Sequence, residues 1–144
     1  MIEQDTIKLL RECDAGIKMG VSSIEDVLDH VKNKDLRTHL TRCRDEHNAL
    51  KSEIQKELDR FHDDGKDPIP IAKGMSWIKT NVKLGMDDSD KVVADLLTDG
   101  CNMGVKSLRK YLNQYEAADE KAKDITKRLI QLEEKLTAQL REYL

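Results

Sequence analysis

The chain has 144 residues, of which 37% are charged and only 3% aromatic, a composition that suits amphipathic helices and argues against a β-sandwich rich in aromatic and β-branched strands. Its 25 Lys and Arg residues are interleaved with 28 Asp and Glu residues to give a net charge of −3, so we expect no nucleic-acid partner. It contains neither a run of about eighteen apolar residues nor a basic, apolar leader, so we expect a cytoplasmic protein that makes no contact with a membrane.

Two helices are predicted in the first 62 residues. Apolar side chains recur every three or four positions from about residue 3 to 31 and again from Leu36 to Phe61, as they do on one face of an α-helix. Asn33 and Lys34 interrupt this pattern, and so short a connection makes the two helices antiparallel neighbours. We expect them to form a first hairpin over residues 3–62.

The middle of the chain, residues 63–89, is predicted to connect two hairpins. Residues 63–70 hold both prolines, which end a helix. A shorter helical pattern follows from Ile71 to Leu84 and carries Trp77, the only tryptophan. At ~1.5 Å per residue this pattern spans on the order of 20 Å, a large part of the length of a bundle. We therefore interpret it as a crossover helix.

A second hairpin is predicted over residues 90–144. Its helices run from about Asp90 to Tyr115 and from about Asp119 to Tyr143, and only three residues interrupt the pattern between them. Two helical hairpins joined by a long crossover have the connectivity of a ferritin-like four-helix bundle. We predict this all-α fold as a single domain, with a simple up-down-up-down bundle as the alternative.

A short motif occurs once in each hairpin. The pattern G-x-x-M-G-V-x-S, followed by an aliphatic residue, spans residues 16–24 and again residues 100–108. The second helices of the two hairpins also match in their apolar positions. The two hairpins are therefore predicted to be structurally related.

The chain resembles bacterial ferritin-like proteins of an uncharacterised domain family, which are relatives of the ferritin and rubrerythrin group. The features that carry the resemblance are Asp14-Ala15-Gly16 in the first helix, Trp77-Ile78-Lys79 in the crossover and the lengths of the hairpins. The resemblance covers nearly the whole chain and implies a fold more firmly than an activity, because such bundles host several functions.

A ferritin-like bundle raises the hypothesis of a di-iron centre built from two glutamates and two Glu-x-x-His pairs. None of the four histidines has a glutamate three positions before it, and the fourth helix contains no histidine. Register places His47 level with residues near 19, with Asn102 and with Leu132 or Glu133. We therefore expect no metal and no cofactor, and keep His47, Asp99 and Glu133 as a residual candidate site for iron or manganese.

The central layer instead holds glycines, namely Gly16, Gly20, Gly100 and Gly104. Each glycine costs a helix interior roughly 0.5–1 kcal/mol relative to alanine, so something must offset that cost. The first interpretation is close packing of the first and third helices, backbone against backbone. The second is a small central cavity bordered by His47, Cys43 and Cys101, and the third is a remnant of a lost site.

We find no catalytic motif, and we expect the three widely spaced cysteines to be buried, reduced thiols. The preferred interpretation is a non-enzymatic ferritin-like bundle that has lost its di-iron centre and acts as an interaction or oligomerisation module. We expect a homodimer and can name no protein partner. The alternatives are an iron- or manganese-binding oxidase or iron-handling protein, and a small-ligand binder that uses the glycine-lined space.

Overall fold

The computed structural model describes residues 2–67 and 90–144, which form four long helices and contain no β-strand. These are α1 (Ile2–Leu28), α2 (Lys34–Asp59), α3 (Asp90–Gln114) and α4 (Glu120–Leu140), followed by a 3-10 helix over Arg141–Tyr143. The all-α prediction is thereby confirmed for these residues. The predicted crossover helix with Trp77 lies outside the described residues. None of the described helices combines the length and apolar character that crossing a membrane would require.

Helix α3 begins at Asp90 as predicted, and the other helix ends differ from the predicted ends by one to three residues, for local reasons. Helix α1 ends at Leu28, before the predicted end near residue 31, because the next residues turn and Asp90 binds the backbone amides of Lys32 and Asn33 at 2.7 and 3.0 Å. Helix α2 ends at Asp59, before the predicted Phe61, and His62 then adopts a left-handed φ of 56°. Such a residue commonly terminates a helix.

Side-chain caps fix where α2 and α4 begin. The Asn33 side chain accepts a hydrogen bond of 3.0 Å from the amide of Leu36, and the Asp119 carboxylate accepts one of 2.8 Å from the amide of Ala122. The amide of Asp119 in turn donates to Thr6 Oγ1 at 2.8 Å, which ties the start of α4 to α1. Both turns between helices are therefore set by capping residues of the sequence.

The directions of the helices follow from contacts at the two ends of the bundle. Asp90, at the start of α3, binds the turn between α1 and α2, whereas Asp5, at the start of α1, accepts from the amide of Ala117 at 3.1 Å. Helix α1 is therefore antiparallel to α3, and α2 is antiparallel to α4. Helix α2 ends at the end of the bundle opposite to the one where α3 begins.

Among the described residues, the core consists of two apolar clusters along the bundle. One lies towards the α1–α2 turn and includes Val27, Leu40 and Leu97, and the other lies towards the α3–α4 turn and includes Leu10, Ile54 and Ile125. All three cysteines are buried and unpaired, as predicted from their spacing. The layer between the two clusters contains polar side chains, unlike the apolar clusters themselves, and it forms the base of the candidate site.

Candidate ligand cleft

One residue from each helix forms a layer between the two apolar clusters. The layer consists of Gly20 on α1, His47 on α2, Gly104 on α3 and Glu133 on α4. His47 Nε2 lies 3.0 Å from Glu133 Oε1, and the exposed fractions of the two side chains are 1% and 13%. The predicted register placed His47 level with Leu132 or Glu133, and the structure brings it into contact with Glu133.

The two glycines leave the space that these side chains occupy. A Cβ atom on Gly20 would lie 3.2 Å from both Cδ2 and Nε2 of His47, and a Cβ atom on Gly104 would lie 3.8 Å from Cδ of Glu133. Contacts near 3.2 Å are tighter than ordinary van der Waals distances, so a side chain at position 20 would press on the imidazole ring. The absence of a side chain at this position therefore accommodates the buried polar pair.

Both nitrogens of His47 have partners. Its Nδ1 lies 2.7 Å from the carbonyl oxygen of Cys43, which can only accept, so Nδ1 carries a proton. Burial lowers the pKa of His47, but its contacts with Cys43 and Glu133 outweigh burial and raise the pKa to about 10. The pair is therefore an imidazolium that donates to a carboxylate at neutral pH.

The thiols of Cys101 and Cys13 are not activated. Burial and the charge of Glu133 raise the pKa of Cys101 far above its usual range, and burial raises that of Cys13 to about 12. The Cys13 thiol shares a hydrogen bond of 3.1 Å with Thr126 Oγ1. Both groups are therefore neutral thiols at physiological pH, whereas the attacking form of cysteine is the thiolate.

A cleft of about 310 Å³ lies beside this layer, between α1 and α3. The Gly, Met, Gly and Ser positions of both motif copies line it: Gly16, Met19, Gly20, Ser23, Gly100, Met103, Gly104 and Ser107. His47 and Glu133 also line the cleft, together with apolar side chains that include Ile24, Leu97 and Leu129. The repeated motif thus contributes equivalent residues from two antiparallel helices to one cleft.

The contacts at the glycines are with side chains and not with the backbone of a facing helix. A Cβ atom on Gly16 would lie 4.0 Å from Cδ2 of Leu129. Apart from the adjacent residues and backbone of its own helix, no described heavy atom lies within 4 Å of a Cβ atom on Gly100. Gly16 and Gly100 are both exposed. The cavity interpretation thus describes this layer better than backbone-to-backbone packing of α1 and α3. Of the three residues predicted to border the cavity, His47 and Cys101 line the cleft, whereas Cys43 is not among its described lining residues.

One end of the cleft carries Glu12 and Tyr111, which the sequence analysis did not identify. Burial and the neighbouring carboxylate of Glu12 raise the pKa of Tyr111, so its hydroxyl stays protonated. Lys66 Nζ forms an ion pair with Glu12. Glu12 and Tyr111 fall outside the repeated motif, and it was this motif that indicated the cleft in the sequence.

A second polar cluster fastens the segment after α2 to α1. Asp14 is fully buried, and its Oδ2 atom accepts from Lys18 Nζ at 2.8 Å and from the amide of Lys66 at 3.0 Å. Asp67, which is exposed, binds the same Lys18 at 3.2 Å. Gly65, which has a φ of 92°, brings the chain close to Asp14. This cluster does not line the cleft. Its role is structural, because it holds the segment after α2 against α1.

The residual metal candidates are only partly brought together. His47 and Glu133 form the pair described above, whereas Asp99 is exposed and is not among the described residues that line the cleft. Within residues 2–67 and 90–144, no group of three or more His, Cys, Asp or Glu side chains is arranged to hold a metal ion. The donor set of these described residues therefore does not fit iron or manganese.

Comparison of the chain with models of protein families, with curated proteins and with solved structures finds no match.

Proposed function

We propose that this protein is a ferritin-like bundle that lacks a di-iron centre and binds a small, mainly apolar molecule in the cleft between α1 and α3. The observation that carries the proposal is the cleft of about 310 Å³ lined by the repeated glycines. Small-molecule sites have volumes of roughly 300–1,000 Å³ and mostly apolar walls with a few polar groups, so this cleft is at the lower end of that range. The protein acts as a binder and not as an enzyme.

The ferritin-like assignment is supported by the order and direction of the helices. Two antiparallel hairpins pack together, and α2 ends at the end of the bundle opposite to the start of α3. A crossover that carries the chain along the bundle meets this requirement, as in ferritin-like folds with one long connection. The stretch from Ile71 to Leu84 is the proposed crossover helix.

The glycines support a binding role because they lower the stability of the helices that contain them. A glycine in a helix interior lowers stability by about 0.5–1 kcal/mol relative to alanine, and only at Gly20 does the space for the His47 ring clearly offset this cost. At Gly100 the described residues provide no packing contact that would offset this cost. A ligand that fills the space would supply contacts to the bare helix surfaces, as apolar ligands do in cavities of about 150 Å³.

The donor geometry favours this reading over an iron- or manganese-dependent oxidase. In His47, Nε2 donates to Glu133 and Nδ1 donates to the backbone. Because both nitrogens carry a proton, neither offers a lone pair to a metal. Asp99 does not join the pair. Binding of a divalent metal at Nε2 would require the loss of the Nε2 proton and of its hydrogen bond to Glu133.

An oligomerisation module is the second candidate, favoured by Met103. This side chain lines the cleft and is 64% exposed, and methionines are frequent at adaptable protein-binding surfaces. A homodimer that covers Met103 would sediment as a dimer and become monomeric on Met103→Lys. Sedimentation of a monomer at micromolar wild-type protein would reject this candidate.

Uptake of the neutral fluorescent probe N-phenyl-1-naphthylamine tests the binding proposal. We expect saturable binding by the full chain and at least about tenfold weaker binding by Gly100→Leu, because the new side chain occupies the cleft. Ala138→Leu is the matched control, because it adds a larger apolar side chain at an exposed position of α4 outside the cleft. No saturable binding, or equal loss in the two variants, would reject the proposal.

A further inference from the structure

The charges along the cleft indicate which class of apolar ligand it takes. This step rests on the binding function proposed above. The described residues of the lining include two carboxylates, Glu12 and Glu133, and neither lysine nor arginine. Among the described lining residues, only His47 has a side chain that can be cationic, and both of its nitrogens already have partners. Among the described lining residues, a ligand anion would therefore find no free cation.

Glu133 has the capacity to bind a ligand. An ionised carboxylate has about four lone-pair sites, and the contacts of Glu133 with His47 and the Cys101 thiol use only part of them. The Glu133 side chain is 13% exposed and lines the cleft, so its remaining lone pairs can accept a hydrogen bond in a largely buried space. In such a space a charge-assisted hydrogen bond is stronger than in water.

The position of Glu133 suits a molecule with one polar group and an apolar body. Apolar side chains of both core clusters line the cleft on either side of it, namely Ile24, Leu97 and Leu136 towards one end and Leu108 and Leu129 towards the other. A chain that extends from Glu133 therefore remains in contact with apolar walls. A second carboxylate, Glu12, lies at one end of the cleft, where its charge is compensated by the ion pair with Lys66, so the preference rests on Glu133.

We propose that the cleft binds apolar amines in their ammonium form, with the N–H group donating to Glu133 and the apolar body lying against the glycine-lined walls of α1 and α3. The corresponding carboxylate is rejected, because Glu133 repels it and His47 is engaged. The corresponding alcohol binds more weakly than the amine, because it offers a single neutral donor. The selectivity is therefore set by charge and not by shape.

Isothermal titration of the full chain at pH 7.5 with octylamine, octanol and octanoate tests this proposal, because the three differ only in the polar group. We expect octylamine to bind at least about tenfold more tightly than octanoate, with octanol between them. Octanoate binding as tightly as octylamine, or octanol matching octylamine, would overturn the proposal. These comparisons use the wild-type protein and do not depend on a variant that folds.

Glu133→Gln identifies the group responsible. The amide keeps the shape of the side chain and can still hydrogen-bond to His47, so we expect a folded protein in which most of the preference for octylamine over octanoate is lost. Glu134→Gln is the matched control, because it removes the same charge from an exposed neighbour on α4. A preference that Glu133→Gln leaves unchanged, or that Glu134→Gln removes equally, would overturn the assignment to Glu133.

The two proposals fail in different ways. If N-phenyl-1-naphthylamine binds and Gly100→Leu blocks it while octanoate equals octylamine, the cleft is a binding site and only the assignment of amines is wrong. If neither the probe nor any of the three octyl compounds binds, the binding function itself is rejected.

Discussion

His47 Nε2 lies 3.0 Å from Glu133 Oε1, in a layer that separates the two apolar clusters of the core. The pair joins α2 to α4, and Gly20 on α1 leaves the room that the imidazole ring requires. Its hydrogen bonds therefore determine both the stability of the middle of the bundle and the polarity of the cleft.

The first prediction concerns pH. The pKa of His47 is raised to about 10 in the folded protein, whereas an unfolded histidine titrates near 6.5. The stabilisation from the pair is therefore fully present below about pH 6.5 and is lost as the pH rises towards 10, with a slope of at most about 1.4 kcal/mol per pH unit. Urea denaturation at pH 6, 7 and 8 measures this decline.

His47→Gln provides the comparison for this prediction, because it cannot take up a proton. Cys13 and Cys101 also have raised pKa values, and they lower stability in the same direction once unfolded thiols ionise above about pH 8.5. Between pH 6 and 8 the decline should therefore be largely absent from His47→Gln. Equal slopes for the two proteins would show that His47 does not retain its proton on folding.

The second prediction compares two glycines of the motif. Gly100→Ala should raise the free energy of unfolding by about 0.5–1 kcal/mol, because alanine is the better helix former and no described atom outside the local backbone of its own helix lies within 4 Å of the new Cβ atom. Gly20→Ala should raise the free energy of unfolding by less than Gly100→Ala does, or should lower it, because its Cβ atom would lie 3.2 Å from the His47 ring. Chemical denaturation of both variants at pH 7 measures the difference. A larger gain at Gly20 than at Gly100 would contradict this account of the layer.

The helices and the register of the layer could be predicted from sequence, because both follow from local periodicity. The apolar repeat located the four described helices, and counting from the turn near Asn33 placed His47 level with Leu132 or Glu133, of which Glu133 is the observed contact. The observed helix ends differ from the predicted ends by a few residues because of caps and turn contacts. At the first turn, for example, the backbone amides donate to Asp90, which is distant in sequence.

The cleft itself could not be predicted, because a stripe of glycines permits either close packing or an open space. The separation of α1 and α3 decides between these, and it depends on the volume of side chains from all four helices, including the His47 ring below Gly20. The cluster of Asp14 and Lys66 was missed for a similar reason, because the two residues are 52 positions apart and meet only in the fold.

The third prediction compares the two carboxylates that bind Lys18. Asp14→Ala should lower the free energy of unfolding by about 1–3 kcal/mol, because it removes a buried acceptor from Lys18 and leaves the amide of Lys66 without that partner. Asp67→Ala should cost no more than about 0.5 kcal/mol, because the Asp67 side chain is 86% exposed. Urea denaturation at pH 7 measures both values. Equal costs would indicate that burial of Asp14 is not what stabilises this contact.

The fourth prediction concerns Gly65, which follows the end of α2. Its φ of 92° lies in the left-handed region, where a Cβ atom costs roughly 1–2 kcal/mol, and that atom would also collide with the Asp14 carboxylate. Gly65→Ala should therefore lower the free energy of unfolding by about 2 kcal/mol or more. Gly16→Ala is the matched control, because it lies in a helix with its nearest described neighbour at 4.0 Å and should not destabilise the protein. Thermal and urea denaturation of the two variants would separate these outcomes. If Gly65→Ala were as stable as the wild type, neither the left-handed backbone nor the close approach to Asp14 would be required for the native fold.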